Sequence, residues 1–332
     1  MRGTAAGIGA LERAAGIGAL ERDEDVAAAA TIAARCHARL RAGAPHLPDR
    51  RPEDYVGKIR WLTDNGVVLG LWQDGRLSAF LGGFLIEDFR NAGPACFAPD
   101  WAHGAEAAEA TFGSLRALYR AIAPRWIELG GRIHALGVRA SEADAIEALS
   151  LCGFGRIMVD AAAPTSQVAA RTAGHPAPAD VSIRRAVADD AEALAAMNAR
   201  LAEHIAASPI LLPDARGEDA DDWRSWFAAP DAVALVAEDD TGAIGYIKAQ
   251  DPQLDVSDAV HDASCLAING MYCEPARRGR GVGTALVSAL ADHAAAAGKE
   301  LMSVDCETHN LEAFGFWTRL FTPVAWGFER RV

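Results

Sequence analysis

The sequence has no apolar run long enough to cross a bilayer, so a membrane-spanning chain is not expected. Its six cysteines include no C-x-x-C pair, and its nine histidines include no H-E-x-x-H pattern, which argues against a structural or catalytic metal. Cys36, Cys96, Cys152, Cys265, Cys273 and Cys306 are scattered and read as small buried residues of a reducing cytoplasm. A basic excess is also missing. The net charge is −13, so nucleic acid is not the expected partner, whereas a cationic amine would be drawn to the surface. The N-terminus is too weakly apolar for a secretory signal.

What is present is enough for about two domains: 332 residues, 51% hydrophobic and 23% charged. Residues 1–22 hold a tandem copy, AAGIGALER at 5–13 and 14–22, which predicts a helical or disordered tail without chemistry. Residues 23–162 read as helix, helix, hairpin about Asp74-Gly75, helix, strand and helix. Pro and Ala dominate 163–180, a predicted linker. The same order of elements returns in 181–332, with a hairpin about Asp240-Thr241-Gly242. Gly75 to Gly153 and Gly242 to Leu320 both span 78 residues, and a phenylalanine follows each endpoint. Two copies of one fold are therefore expected.

The most informative stretch is INGMYCEPARRGRGVGTALVSALADHAAAAG, residues 268–298. An apolar strand ends at Pro275, a glycine-rich turn follows, and Val282, Leu286, Val287 and Leu290 mark one helix face. A helix start has free N–H groups and partial positive charge, which suit a phosphate. No Lys follows as a P-loop needs, and the third glycine of a Rossmann G-x-G-x-x-G is out of place. Arg278, Gly281 and Gly283 do meet R-x-x-G-x-G.

With the MYCEP strand end, this pattern resembles motif A of the GNAT-type N-acetyltransferase superfamily. The resemblance implies an α/β (α+β) chain of two tandem GNAT-like domains, each a mixed, mostly antiparallel central sheet flanked by helices. It implies acetyl-CoA as acyl donor, an amine of a small molecule or peptide as acceptor, and a monomer or homodimer. The pyrophosphate would be held by the turn formed by Arg278, Gly279, Arg280, Gly281, Val282, Gly283 and Thr284. The pantetheine arm would run along Met271, Tyr272 and Cys273. The N-terminal copy resembles a degenerate domain: after Pro99, alanines replace two loop glycines, and Glu106 stands where the anion would sit.

Acyl transfer to an amine calls for a neutral nitrogen, a donor to the developing oxyanion, and relief of the leaving thiolate. In the family a run N-x-x-A-x-x-F-Y supplies an acidic tyrosine. Here Asn310 and Ala313 match, but Trp317 replaces the tyrosine, and an indole N–H is not a usable acid. Asp305 and Glu307 share a strand face just before Asn310; Glu307 is the preferred base, with Asp305 and Tyr272 as further catalytic candidates. Asn269, Asp258, His261, Asp262 and His309 are other options near the expected cleft. The competing reading from another class is a catalytically silent acyl-CoA sensor or scaffold; a nucleotide-dependent reductase is a third.

Overall fold

The computed structural model describes residues 16–253 and 257–332. The chain forms two compact units, and their boundaries cut across the two halves of the sequence. The first takes residues up to Met158, together with Ser257–Ala259 and Val324–Val332; the second takes Val159–Val256 and Val260–Pro323.

In the first unit, β1 (Ile17–Ala19), α1 (Asp23–Gly43) and α2 (Pro52–Asn65) precede the hairpin β2 (Val67–Gln73) and β3 (Arg76–Ile86). Asp74 and Gly75 have φ of 50° and 77°, the pair of left-handed residues that a tight hairpin turn requires. Then come β4 (Ala95–Ala98), β5 (His103–Ala105), α3 (Thr111–Glu128), β6 (Ile133–Arg139) and α4 (Ala143–Leu151). Tyr55, Ile59 and Leu62 recur at helical spacing on α2 and are fully buried, each adding about 1.5–3 kcal/mol of apolar burial.

The second unit contains α5 (Thr165–Thr172), β8 (Ser182–Arg185), α6 (Ala191–Ala206), α7 (Ala220–Ala228), β9 (Val233–Asp239) and β10 (Gly242–Gln250). It continues through β11 (Cys265–Cys273), α8 (Val282–Ala296), β12 (Leu301–Glu307) and α9 (Leu311–Leu320). Strands β7 (Gly155–Pro164) and β13 (Thr322–Arg331) are the last of their respective halves, and they are exchanged. Residues 324–331 of β13 lie antiparallel to β6, with Ala325 opposite Arg139 and Arg331 opposite Ile133. The end of β7 instead adjoins β12. Within the first unit the strand order is therefore β1-β2-β3-β4-β6-β13, and within the second β7-β12-β11-β10-β9-β8.

Two sequence expectations are corrected. The described part of the tail is neither helical nor disordered: Ile17–Ala19 pairs antiparallel with Leu69–Leu71. The first repeat copy lies outside the described residues. The segment read as a linker contributes the end of β7 and the helix α5, whose Val168 is fully buried and which packs on α8. Around Glu106 the first unit has no glycine turn. β5 pairs with β3 there, and Glu106 is exposed, ion-paired to Arg35 at 2.7 Å.

Candidate active site

β11 and β12 run parallel only from Cys265↔Leu301 to Ile268↔Val304. Beyond that pair both strands continue without facing each other, so one edge of β11 from Asn269 to Cys273 has no strand partner among the described residues. On its other edge β11 pairs with β10, and the register slips: Lys248 faces Gly270 while Ala249 faces Ile268, leaving Asn269 as the bulged residue. The Asn269 Oδ1 is buried with no hydrogen-bond partner among the described residues.

β11 leads into the glycine turn. Gly279 and Gly281 have φ of 70° and 92°, values that a side chain adopts only at a cost. Gly281 is the N-cap of α8, whose leading amides have no intrahelical acceptor. Among the described residues, and apart from the adjoining chain, no heavy atom lies within 4 Å of a Cβ built at Gly279 or Gly281, so the turn is open outward. A Cβ at Gly283 would be in van der Waals contact with Met271 and Phe316 at 3.6–3.7 Å, which places β11, α8 and α9 around one slot. The arginines are more committed than the sequence suggested. Arg277 is ion-paired to Asp180 at 2.7 Å and to Asp239. Arg278 donates to the Cys273 carbonyl at 3.1 Å and pairs with Glu312 at 3.1 Å. Arg280 is exposed.

The other predicted residues fall in distinct places. Tyr272 is buried among Met197, Trp223 and Tyr246, its hydroxyl donating to Glu274 at 3.2 Å. Burial raises its phenol above the ordinary range. Cys273 is half-buried at the strand end. Asn310 caps α9, accepting from the Ala313 N–H at 3.2 Å. Trp317 is buried against Phe316 and Phe321. Asp305 is exposed and Glu307 half-buried, with the buried Cys306 between them on the opposite face. Burial pushes that thiol up to about 12. His261 and His309 are exposed and Asp262 is half-buried. Asp258 does not join this group. It belongs to the first unit, ion-paired to Lys58 and with its N–H on Asp100 at 3.3 Å.

Residues 199–321 match the Acetyltransferase (GNAT) family. The match lies wholly within the C-terminal half. The whole chain resembles a GCN5-related N-acetyltransferase from Sphaerobacter thermophilus, with a TM-score of 0.57, 13% identity and 95% of each chain covered. It also resembles a tandem GNAT protein from the clavulanic acid biosynthesis pathway, with a TM-score of 0.50, 14% identity, and 91% and 94% covered. These likenesses establish a tandem GNAT fold. No curated protein matches the sequence.

Sequence reasoning missed one feature of the GNAT domain. Lys248 on β10 is buried, with its ammonium 2.6 and 2.5 Å from the two Glu218 oxygens. The same ammonium lies 4.9 Å from the Trp223 ring centre and 4.2 Å from that of Trp226. A lone lysine within the apolar strand GAIGYIKAQ was the available signal. Among the described residues no group of three or more side chains forms a metal site, and no helix is long and apolar enough to cross a membrane.

Proposed function

We propose that the GNAT domain transfers an acetyl group from acetyl-CoA to a primary amine of a small molecule or peptide, by direct attack in a ternary complex. The observation that carries this reading is the end of β11–β12 pairing at Ile268–Val304. It leaves an open strand edge leading straight to the left-handed turn of Gly279 and Gly281. The residues fit the donor: an extended amide-bearing arm can add to the β11 edge, and a pyrophosphate can lie on the first amides of α8. Gly281, Val282, Gly283 and Thr284 supply those amides, and Met271 and Phe316 line the slot beside Gly283.

Acetyl-CoA supplies a thioester carbonyl. An alkyl amine with a pKa of about 10 is only about one part in a thousand neutral at pH 7, so an acceptor for its proton speeds attack. Glu307, with Asp305 on the same strand face, is the group assigned that role. A β11 amide facing the slot donates to the carbonyl oxygen as it gains charge. Trp317 offers no acidic proton, so the sulfur leaves as thiolate.

Calorimetry with the full chain tests the site. Acetyl-CoA should bind, Gly281→Glu should abolish binding without lowering the thermal midpoint by more than a few degrees, and thiol release should follow addition of an amine panel. Unchanged affinity in Gly281→Glu would remove the assignment. The buried Trp317 favours a second reading, an acyl-CoA sensor without turnover. Binding with no thiol release for any amine would support that reading instead.

A further inference from the structure

The Lys248–Glu218 pair divides unevenly between protein and solvent. The lysine side chain is 4% exposed and the glutamate side chain 39%. The ammonium is thus enclosed by Trp223 and Trp226, while the carboxylate reaches the surface. A carboxylate has roughly four lone-pair positions, and the ammonium takes one on each oxygen, so about two remain for an outside donor. The pair is held from behind. The Glu218 N–H donates to the Asn198 side-chain carbonyl at 2.7 Å, and the Asn198 amide donates to the Tyr246 hydroxyl at 2.8 Å.

This cage adjoins the β11 bulge. Lys248 faces Gly270 across the strands, and a Cβ at Gly270 would stand 3.5 Å from Lys248 Cε. The cage thus borders the strand where the acyl carbonyl is expected. Its surroundings are acidic, but the other carboxylates are engaged. Asp219 caps α7 through the Asp221 and Asp222 N–H groups, Asp222 accepts the Asp219 N–H, and Asp221 pairs with Arg224. Glu218 is the carboxylate whose partner lies inward and whose free side lies outward. The indole N–H groups of Trp223 and Trp226 are buried without an acceptor among the described residues.

Resting on the proposed transferase reading, we propose that the outward lone pairs of Glu218 anchor the ammonium of the acceptor, with the half-buried Trp226 ring beside it. The acceptor class is an alkylamine with no carboxylate next to the amine. An α-carboxylate would face Glu218 and the run Asp219, Asp221 and Asp222, while Lys248 and Arg224 are already ion-paired to carboxylates. Glu218 is a specificity residue here, and Lys248 is the positioning residue that fixes its carboxylate.

The test pairs amines of one skeleton, tyramine against tyrosine and phenethylamine against phenylalanine, with full-length protein and acetyl-CoA. Each amine should exceed its amino acid in kcat/KM by about fivefold or more, because the extra carboxylate is repelled by the half-exposed Glu218 and the exposed acids beside it. Glu218→Gln should raise the amine KM about tenfold or more, change kcat less, and leave acetyl-CoA affinity untouched. Glu218→Asp should recover part of the loss. Because Glu218→Gln strands the buried ammonium, the double variant Glu218→Gln/Lys248→Met, which removes both charges, is the control for folding. It should melt near the parent and still lose amine affinity. Amine binding is also read by calorimetry without acetyl-CoA, so a failed transferase reading does not hide the outcome. Preference for the amino acids, or amine affinity unchanged in both Gln variants, overturns the proposal.

Discussion

Phe316, rather than Trp317, is the α9 aromatic that faces Gly283. The Phe316 ring edge lies 3.7 Å from where a Gly283 Cβ would stand, and the heavy atoms nearest that point belong to Met271 and Phe316. Trp317, at the family's tyrosine position, packs instead against Phe321, their ring centres 5.8 Å apart. The slot is therefore bounded on the α9 side by a ring with no exchangeable proton.

Trp317→Phe is expected to act through packing. Removing part of a buried indole should cost about 1–2 kcal/mol in urea unfolding, while kcat falls by no more than a few-fold. A loss of about 100-fold, the scale of a missing proton donor, would show that the α9 register has been misread.

The two loop glycines should separate by backbone conformation. Gly281→Ala must hold a left-handed residue and should lose about 1–2 kcal/mol of stability. Gly283 lies inside α8 with ordinary contacts around a new Cβ, so Gly283→Ala should keep or slightly raise stability. It should still weaken acetyl-CoA binding by narrowing the slot. Equal melting temperatures for the two variants would contradict the geometry of the turn.

Acid should destabilise the first unit through its buried histidines. Burial, helped by Arg330, pushes His134 down to about 4 from an ordinary 6.5, and burial also lowers His37 and His103. Between those two values the unfolded chain binds a proton that folded His134 refuses. Stability is thus complete above about pH 6.5 and declines as pH falls toward 4. His134→Gln should flatten part of this slope in urea midpoints measured from pH 4 to 7. An unchanged slope would mean that His134 is charged in the fold.

Thiol labelling should be selective. Burial raises the thiols of Cys96 to about 11 and of Cys265 and Cys306 to about 12, and it raises buried Cys36 as well. At pH 8 Cys96, Cys265 and Cys306 hold almost no thiolate and Cys36 is shielded by burial, so iodoacetamide should spare all four in the native chain. Half-buried Cys152 should label first, then half-buried Cys273, whose thiol burial also raises, and acetyl-CoA should slow Cys273, at the end of β11. Mass spectrometry of the digest reads this directly; rapid labelling of Cys306 would contradict its burial.

Local chemistry made much of this architecture legible. Asp74-Gly75 marked a hairpin because few other dipeptides accept two left-handed residues, and the Arg278–Gly283 run marked the turn because its spacing is rare. Strand exchange left no such mark. Residues 324–331 read as a strand whichever sheet they join, since alternation specifies a face and not a neighbour. The α5 helix was hidden because Val168 is a single apolar anchor among small residues. The Lys248–Glu218 pair joins positions 30 residues apart, beyond the reach of any local pattern.

One acetyl-CoA per chain is the expected stoichiometry, since the first unit has β5 and an Arg35–Glu106 ion pair where a glycine turn would be. A value near two in calorimetry on intact protein would show that this unit holds the donor in another way.

The exchange of β7 and β13 also sets a timetable for synthesis. A ribosome that has made everything through Leu320 has not yet delivered Val324–Val332, the segment that lies beside β6. The first half therefore emerges with an unfilled sheet edge and stays that way while the whole GNAT domain is being translated. Edges of this kind recruit foreign strands. Nascent chains stalled before residue 324 should bind chaperones or aggregate, and release of the last segment should end that exposure for the first unit.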